Sequence, residues 1–317
     1  MRFVEASEID AVLDYPALVD ALREAFRAGV IAPTRHHHEI ERSDETATLL
    51  LMPAWQAGEG YVGVKVVSVF PGNAARGEPS VMGTYLLMSG ETGAPLAGFD
   101  GQTLTVWRTA AASALAASYL ARPDASRMAM IGAGALAPRL IAAHAALRPI
   151  REVTIWNRTP AAAESLAASL SRPGFRVTAV TDIAAAVRGA DIVSVATLSS
   201  EPLVRGAWLQ PGAHLDLVGA YSPRMRESDD EAVTCATVYV DTRAGALKEA
   251  GDIVQPLASG VIGEADVAGD LFDLCRGTIP GRRTADEITL FKSVGSAIED
   301  LAAAILVWRR LSAAEAR

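Results

Sequence analysis

Met128-Ala129-Met130-Ile131-Gly132-Ala133-Gly134-Ala135-Leu136-Ala137 is the stretch on which the fold turns. Four apolar residues make a short strand, a G-x-G-x-x-A turn follows, and apolar residues at helical spacing continue to Leu147. Each small residue in the turn has its own reason. Gly132 permits a tight turn, Gly134 lets a pyrophosphate approach the backbone, and Ala137 lets helix and strand pack closely. The helix start then offers N–H groups and the positive end of a dipole to an anion. Pro138 is tolerated there, because the first helical turn needs no N–H for its own bonds. A glycine turn without a ligand has the same residues; the strand–turn–helix setting is what points to a dinucleotide.

Outward from this turn, strand and helix alternate. Strands are expected at residues 153–156, 177–180, 192–196, 215–219 and 238–240, with helical segments at 160–169 and 183–187. This rhythm predicts a Rossmann-type, doubly wound parallel sheet, hence an α/β fold. The strand after the turn ends in Trp156-Asn157-Arg158-Thr159. A carboxylate at this place binds ribose hydroxyls and repels a 2′-phosphate. Here the acid is absent and Arg158 can hold the phosphate through its fork of donors, which predicts NADP(H) in preference to NAD(H). As a bare surface charge, Arg158 would carry no such meaning.

The first third has a different texture. A helix is expected over residues 15–28, with Pro16 in its first turn and Gly29 at its end. Three β-rich runs follow at 47–55, 61–71 and 81–88, parted by Gly58, Gly60, Gly72, Asn73 and Gly77, which predicts a mixed or antiparallel sheet. An alanine-dominated helix at 103–120 is expected to be buried, and an amphipathic helix at 295–309 to return to this part of the chain. Together these give an α+β domain at 1–120 with 295–317, and a dinucleotide-binding domain at 121–294.

Composition narrows the function. The 317 residues, half of them hydrophobic, can bury a large core without disulfide or metal staples. Two cysteines, Cys235 and Cys275, give no disulfide framework and suit a reducing compartment, so the cytoplasm is expected. A net charge of −8 with no basic cluster argues against nucleic acid. The apolar run 109–121 is too short and too rich in alanine for a membrane span of about 20 residues. Of His36, His37 and His38 only the outer two would share a strand face, and no spaced acid or cysteine completes a set, so no metal is expected.

Three cations stand in apolar surroundings. Lys65 lies in Val62-Gly63-Val64-Lys65-Val66-Val67, and Arg108 is the only charge between Asp100 and Arg122. Lys65 reads either as an edge-strand charge or as an ammonium awaiting a counter-charge, and Arg108 either as a structural ion pair or as a ligand. With Arg35 they could form a pocket for a substrate carboxylate, and a desolvated lysine could also relay a proton.

The chain resembles the ornithine cyclodeaminase and mu-crystallin family over nearly its whole length. The landmarks are Leu51-Met52-Pro53-Ala54, the Lys65 strand, Leu104-Thr105-Val106-Trp107-Arg108-Thr109-Ala110-Ala111, the Gly132 turn, Val218-Gly219-Ala220-Tyr221-Ser222-Pro223, and Thr289-Leu290-Phe291-Lys292-Ser293-Val294-Gly295 leading into Glu299-Asp300. The resemblance implies that the first domain binds substrate and forms a homodimer. It implies that Arg35, Lys65 and Arg108 hold the substrate carboxylate, with Lys65 as proton donor. It also implies that Ser293, Val294 and Gly295 lie near the nicotinamide, while Gly132, Ala133, Gly134, Ala135, Leu136, Asn157, Arg158 and Thr159 hold the rest of the cofactor. Members that cyclise ornithine carry acids where Leu50, Tyr221 and Asn157 stand here. The resemblance is therefore to the ketimine reductase branch: NADPH-dependent reduction of cyclic imine 2-carboxylates, such as Δ1-pyrroline-2-carboxylate or Δ1-piperideine-2-carboxylate, to proline or pipecolate. The alternatives are ornithine cyclodeaminase with recycled dinucleotide, an alanine-type amino-acid dehydrogenase, and an NADPH-binding protein without turnover.

Overall fold

The structure is a computed structural model that describes residues 1–43, 45–58 and 60–315, for Ala74 without its side chain. The chain divides into two compact units, Met1–Arg108 with Ser296–Arg317, and Thr109–Gly295. The division falls inside the helix Gly101–Leu120, rather than at its end.

The first unit is built on a six-stranded sheet: β1 (Arg2–Val4), β2 (His36–Glu41), β3 (Thr46–Trp55), β4 (Tyr61–Val69), β5 (Val81–Ser89) and β6 (Pro95–Asp100). Their order is β1-β6-β5-β4-β3-β2, with β1 parallel to β6 and the other neighbours antiparallel. β4 is therefore a central strand, and the edge-strand reading of Lys65 is wrong. Lys65 pairs with Met52 on one side and Tyr85 on the other. All three side chains are buried, on the face packed against the helix Ala297–Glu315. That helix also packs on Tyr15–Ala28, whose first turn is capped by Asp14 and whose end is Gly29 in the left-handed region. The expected amphipathic stripe is absent from its first half, which is buried on every side from Ala297 to Ile305, Glu299 and Asp300 included. Two paired acids let a helix go under all round where bare ones would hold one face to water.

The second unit carries eight parallel strands: β7 (Arg127–Ile131), β8 (Glu152–Trp156), β9 (Arg176–Val180), β10 (Ile192–Val195), β11 (His214–Leu217), β12 (Thr237–Val240), β13 (Val267–Asp270) and β14 (Thr289–Lys292). The order β13-β12-β14-β11-β10-β7-β8-β9 reverses direction at β7, the first strand of the unit, as in a Rossmann-type doubly wound sheet. Its core is aliphatic, from Ala129 and Ile131 through Val193, Val195, Leu215 and Leu217 to Leu290. Buried Asp216 is satisfied by Ser113 Oγ at 2.9 Å, Ser194 Oγ at 2.7 Å and His144 Nε2 at 3.2 Å, so this charge fixes register inside an apolar core. No helix among the described residues is long and apolar enough to cross a membrane.

Candidate active site

In the second unit a cleft of about 460 Å³ opens at the carboxyl ends of the strands on both sides of the reversal. Its floor is the turn after β7. Gly132 has φ 110°, and a Cβ there would meet the Ala196 carbonyl oxygen at 2.5 Å, so no other residue fits. A Cβ on Gly134 would meet nothing within 4 Å: the space above this backbone is open to a ligand. One wall is Trp156, Asn157, Arg158 and Thr159, and the facing wall comes from Ala196–Ser199 and from Val218, Gly219 and Tyr221. Leu198 and Tyr221 are 78% and 48% exposed, large apolar side chains with nothing yet covering them. Open backbone at a helix start, a guanidinium at one end and uncovered apolar faces at the other suit a nicotinamide dinucleotide.

Asn157 does more than omit a charge. Its Oδ1 accepts the Ala133 N–H at 3.2 Å and its Nδ2 donates to the Thr159 carbonyl at 3.0 Å, so the amide braces the phosphate turn against the second wall. Arg158 is exposed in the cleft. Ala135 does not line it, and neither do Ser293, Val294 and Gly295. The Val294 and Gly295 N–H groups instead donate to Asp241 Oδ2 at 2.7 and 2.8 Å, so a buried carboxylate shapes that turn.

In the first unit Lys65 and Arg108 come together on the two acids of the last helix. Lys65 Nζ lies 2.8 Å from Asp300 Oδ2 and donates to Oδ1 at 3.0 Å. Arg108 Nε donates to Asp300 Oδ1 at 3.0 Å and Nη1 to Glu299 Oε2 at 2.7 Å. Lys65 is 3% exposed, Arg108 6%, and both acids are fully buried. The expectation that Lys65 awaits a counter-charge is therefore overturned: the chain supplies one from a residue 235 positions away. Burial first, then repulsion from Arg108, pulls the Lys65 ammonium down to about 8, against the attraction of Asp300. Burial works to raise the Asp300 carboxyl, but Lys65 and Arg108 overcome it and hold the group below the usual carboxylate range. Arg35 is close enough to act on both Lys65 and Asp300. The Tyr85 hydroxyl is buried beside this cluster, and burial followed by the Asp300 charge pushes its phenol well above the usual range.

His36 and His38 meet edge to face at 6.4 Å on an exposed strand, and no group of three metal-ligating side chains occurs among the described residues. Motif reading passed over Asp241 and took Glu299 and Asp300 as part of a landmark without giving them a role. For the two acids a further signal was their place just ahead of the apolar run from Leu301 to Trp308.

The family model for the ornithine cyclodeaminase/mu-crystallin family matches residues 2–315. The chain belongs to this family. The Δ1-pyrroline-2-carboxylate reductase of Paracoccus denitrificans is 41% identical over 90% of each chain. The solved Δ1-pyrroline-2-carboxylate reductase of Thermococcus litoralis, in complex with NADH and L-proline, superposes with a TM-score of 0.93 at 34% identity over 99% of this chain and 98% of that one. An archaeal alanine dehydrogenase dimer with bound NAD gives a TM-score of 0.92 at 31% identity over 99% and 97%. This family member is an oxidoreductase of carbon–nitrogen bonds that uses a nicotinamide cofactor.

Proposed function

We propose that the enzyme reduces cyclic imine 2-carboxylates, Δ1-pyrroline-2-carboxylate or Δ1-piperideine-2-carboxylate, to proline or pipecolate with NADPH. The observation that carries this reading is a buried lysine and arginine gathered on one carboxylate, in a family whose reductases act on such imines. Arg35, Lys65 and Arg108 bind the substrate carboxylate; guanidinium groups do so bidentately. When bound in the cleft, the dinucleotide would supply the hydride that the imine carbon accepts. Lys65, near 8, is still protonated at neutral pH and gives its proton to the imine nitrogen, which makes the carbon electrophilic. It is left a neutral amine, hydrogen-bonded to Asp300, and is reprotonated from solvent.

Arg158 favours NADPH by pairing with its 2′-phosphate, a role that its exposure at the cleft and the absence of an acid at Asn157 support. The lack of acids at Leu50 and Tyr221 speaks for a reductase rather than an ornithine cyclodeaminase. The first unit forms a homodimer, supported by the dimeric alanine dehydrogenase relative. A reducing cytoplasm keeps Cys235 and Cys275 as free thiols. The deciding assay follows dinucleotide oxidation against pyrroline, piperideine and open keto acids with amines, with ornithine as control. Oxidation by the cyclic imines is expected; product from ornithine without net oxidation would replace this reading by the cyclodeaminase one. Sedimentation at micromolar concentration should give a dimer, and a monomer would end the dimer proposal.

A further inference from the structure

Beneath the facing wall of the cleft lies a charge cluster with no part in the chemistry above. Glu227 is fully buried and its carboxylate takes four hydrogen bonds from two separate loops. Oε1 accepts the Thr197 N–H at 2.7 Å and its hydroxyl at 2.8 Å; Oε2 accepts the Gly219 and Ala220 N–H groups at 2.8 and 3.1 Å. Thr197 follows β10, and Gly219 and Ala220 follow β11. Thr197 and Gly219 both line the cleft. A Cβ on Gly219 would strike the Thr197 carbonyl oxygen at 2.0 Å, so the loops touch, and Glu227 is the group they share. The residue is fixed in turn: its N–H and that of Ser228 donate to Asp252 Oδ1 at 2.8 and 2.9 Å. Lys292, at the end of β14, stands 3.4 Å from Asp252 Oδ2 and 3.8 Å from Glu227 Oε2.

We propose that Glu227 is the positioning residue of the dinucleotide cleft: one carboxylate clasps the loops after β10 and β11 and so fixes the wall that faces the phosphate turn. The clasp needs two oxygens at one spacing. Aspartate keeps the charge but is one methylene too short to reach both loops. Glutamine presents an NH2 where an N–H must be accepted, leaving two donors face to face. Burial drives the Glu227 carboxyl up to about 7, with Lys292 opposing and Asp252 adding to it, so the clasp loosens on the acid side of neutrality.

The proposal rests on the cofactor reading of the cleft, and its test uses the full chain without substrate. NADH and NADPH are titrated by protein fluorescence into the wild type, Glu227→Asp, Glu227→Gln and Glu227→Gln/Lys292→Met, and amide exchange is followed at Thr197, Gly219 and Ala220 without ligand. Glu227→Asp and Glu227→Gln should weaken both dinucleotides at least about tenfold. The three amides should exchange faster. Glu227→Gln leaves Lys292 paired with Asp252 at 3.4 Å, so the double variant, which takes the cation from buried Asp252, should regain neither thermal stability nor affinity. NADH affinity of the wild type should fall below pH 7 and that of Glu227→Gln should not; NADH is used because the 2′-phosphate of NADPH has its own titration near 6. Glu227→Asp with wild-type affinity and exchange overturns the clasp alone, as does a double variant that regains affinity. A wild type that bound neither dinucleotide would remove the cofactor reading and the clasp with it.

Discussion

Each unit buries one lysine, and the two are handled differently. Lys65 stands mid-sheet within direct ion-pair distance of one carboxylate and shares it with Arg108. Lys292 lies 3.4 and 3.8 Å from its two acids, and its ammonium has no hydrogen bond of good geometry. The partners differ as much as the distances. Asp300 sits below the usual carboxylate range and keeps its charge, whereas Glu227 near 7 can take up a proton close to neutrality. A buried cation tied to an acid that stays ionised is poised for a ligand and a proton step. One tied to an acid that can neutralise belongs to a support that tolerates adjustment.

The largest effect should come from removing the shared carboxylate. Asp300→Ala takes from Lys65 its carboxylate and from Arg108 one of its two acids, and loss of one partner from a buried pair costs roughly 3–5 kcal/mol. Denaturant unfolding measures this; a loss below about 1 kcal/mol would mean that water already screens the cluster. Next comes Lys65→Ala, which should lower kcat/KM for imine reduction by at least about a hundredfold while dinucleotide affinity holds. Lys65→Arg should keep some substrate binding and lose most turnover, because an arginine does not release its proton. Near-full activity in Lys65→Ala would make the cluster structural and erase the contrast.

Lys292→Met sharpens the comparison from the other side. Glu227 can be protonated in the folded state, so the cost should be smaller, about 1–3 kcal/mol. It should also depend on pH in a defined direction. A carboxyl raised above its unfolded value holds a proton in the folded chain that the unfolded chain releases, so stability falls as pH rises from about 4.5 through the folded value. The variant should thus be more stable at pH 6 than at pH 8, and a flat profile would deny Glu227 this role. In the wild type, reduction should fall as pH rises through about 8, where Lys65 loses its proton. A smaller change is expected of Arg158→Ala: about tenfold weaker NADPH binding with NADH little altered. Equal loss for both would make Arg158 a support of the turn.

What could be read from the chain follows sequence distance. The phosphate turn after β7, the wall after β8 and the glycine conformation are each local, set by residues within a few positions along one stretch of chain. The cation cluster is not: Arg108 meets Glu299 across 191 positions and Lys65 meets Asp300 across 235. Spacing says that a lysine among valines needs a partner, but not which acid provides it. The last helix misled for a related reason. Periodicity treats Glu299 and Asp300 as a wet face, and pairing hid them. Strands of four residues such as β13 and β14 are too short to show a period at all.

The six-stranded sheet is closed by a helix that follows the whole parallel-sheet unit in sequence, and this matters while the chain is being made. Lys65 and Arg108 leave the ribosome long before the residues at 299 and 300, with the whole parallel-sheet unit translated in between. Until then the six-stranded sheet must hold two cations on its inner side without their acids, or wait unpacked. We expect the parallel-sheet unit to mature on the nascent chain before the six-stranded sheet becomes native.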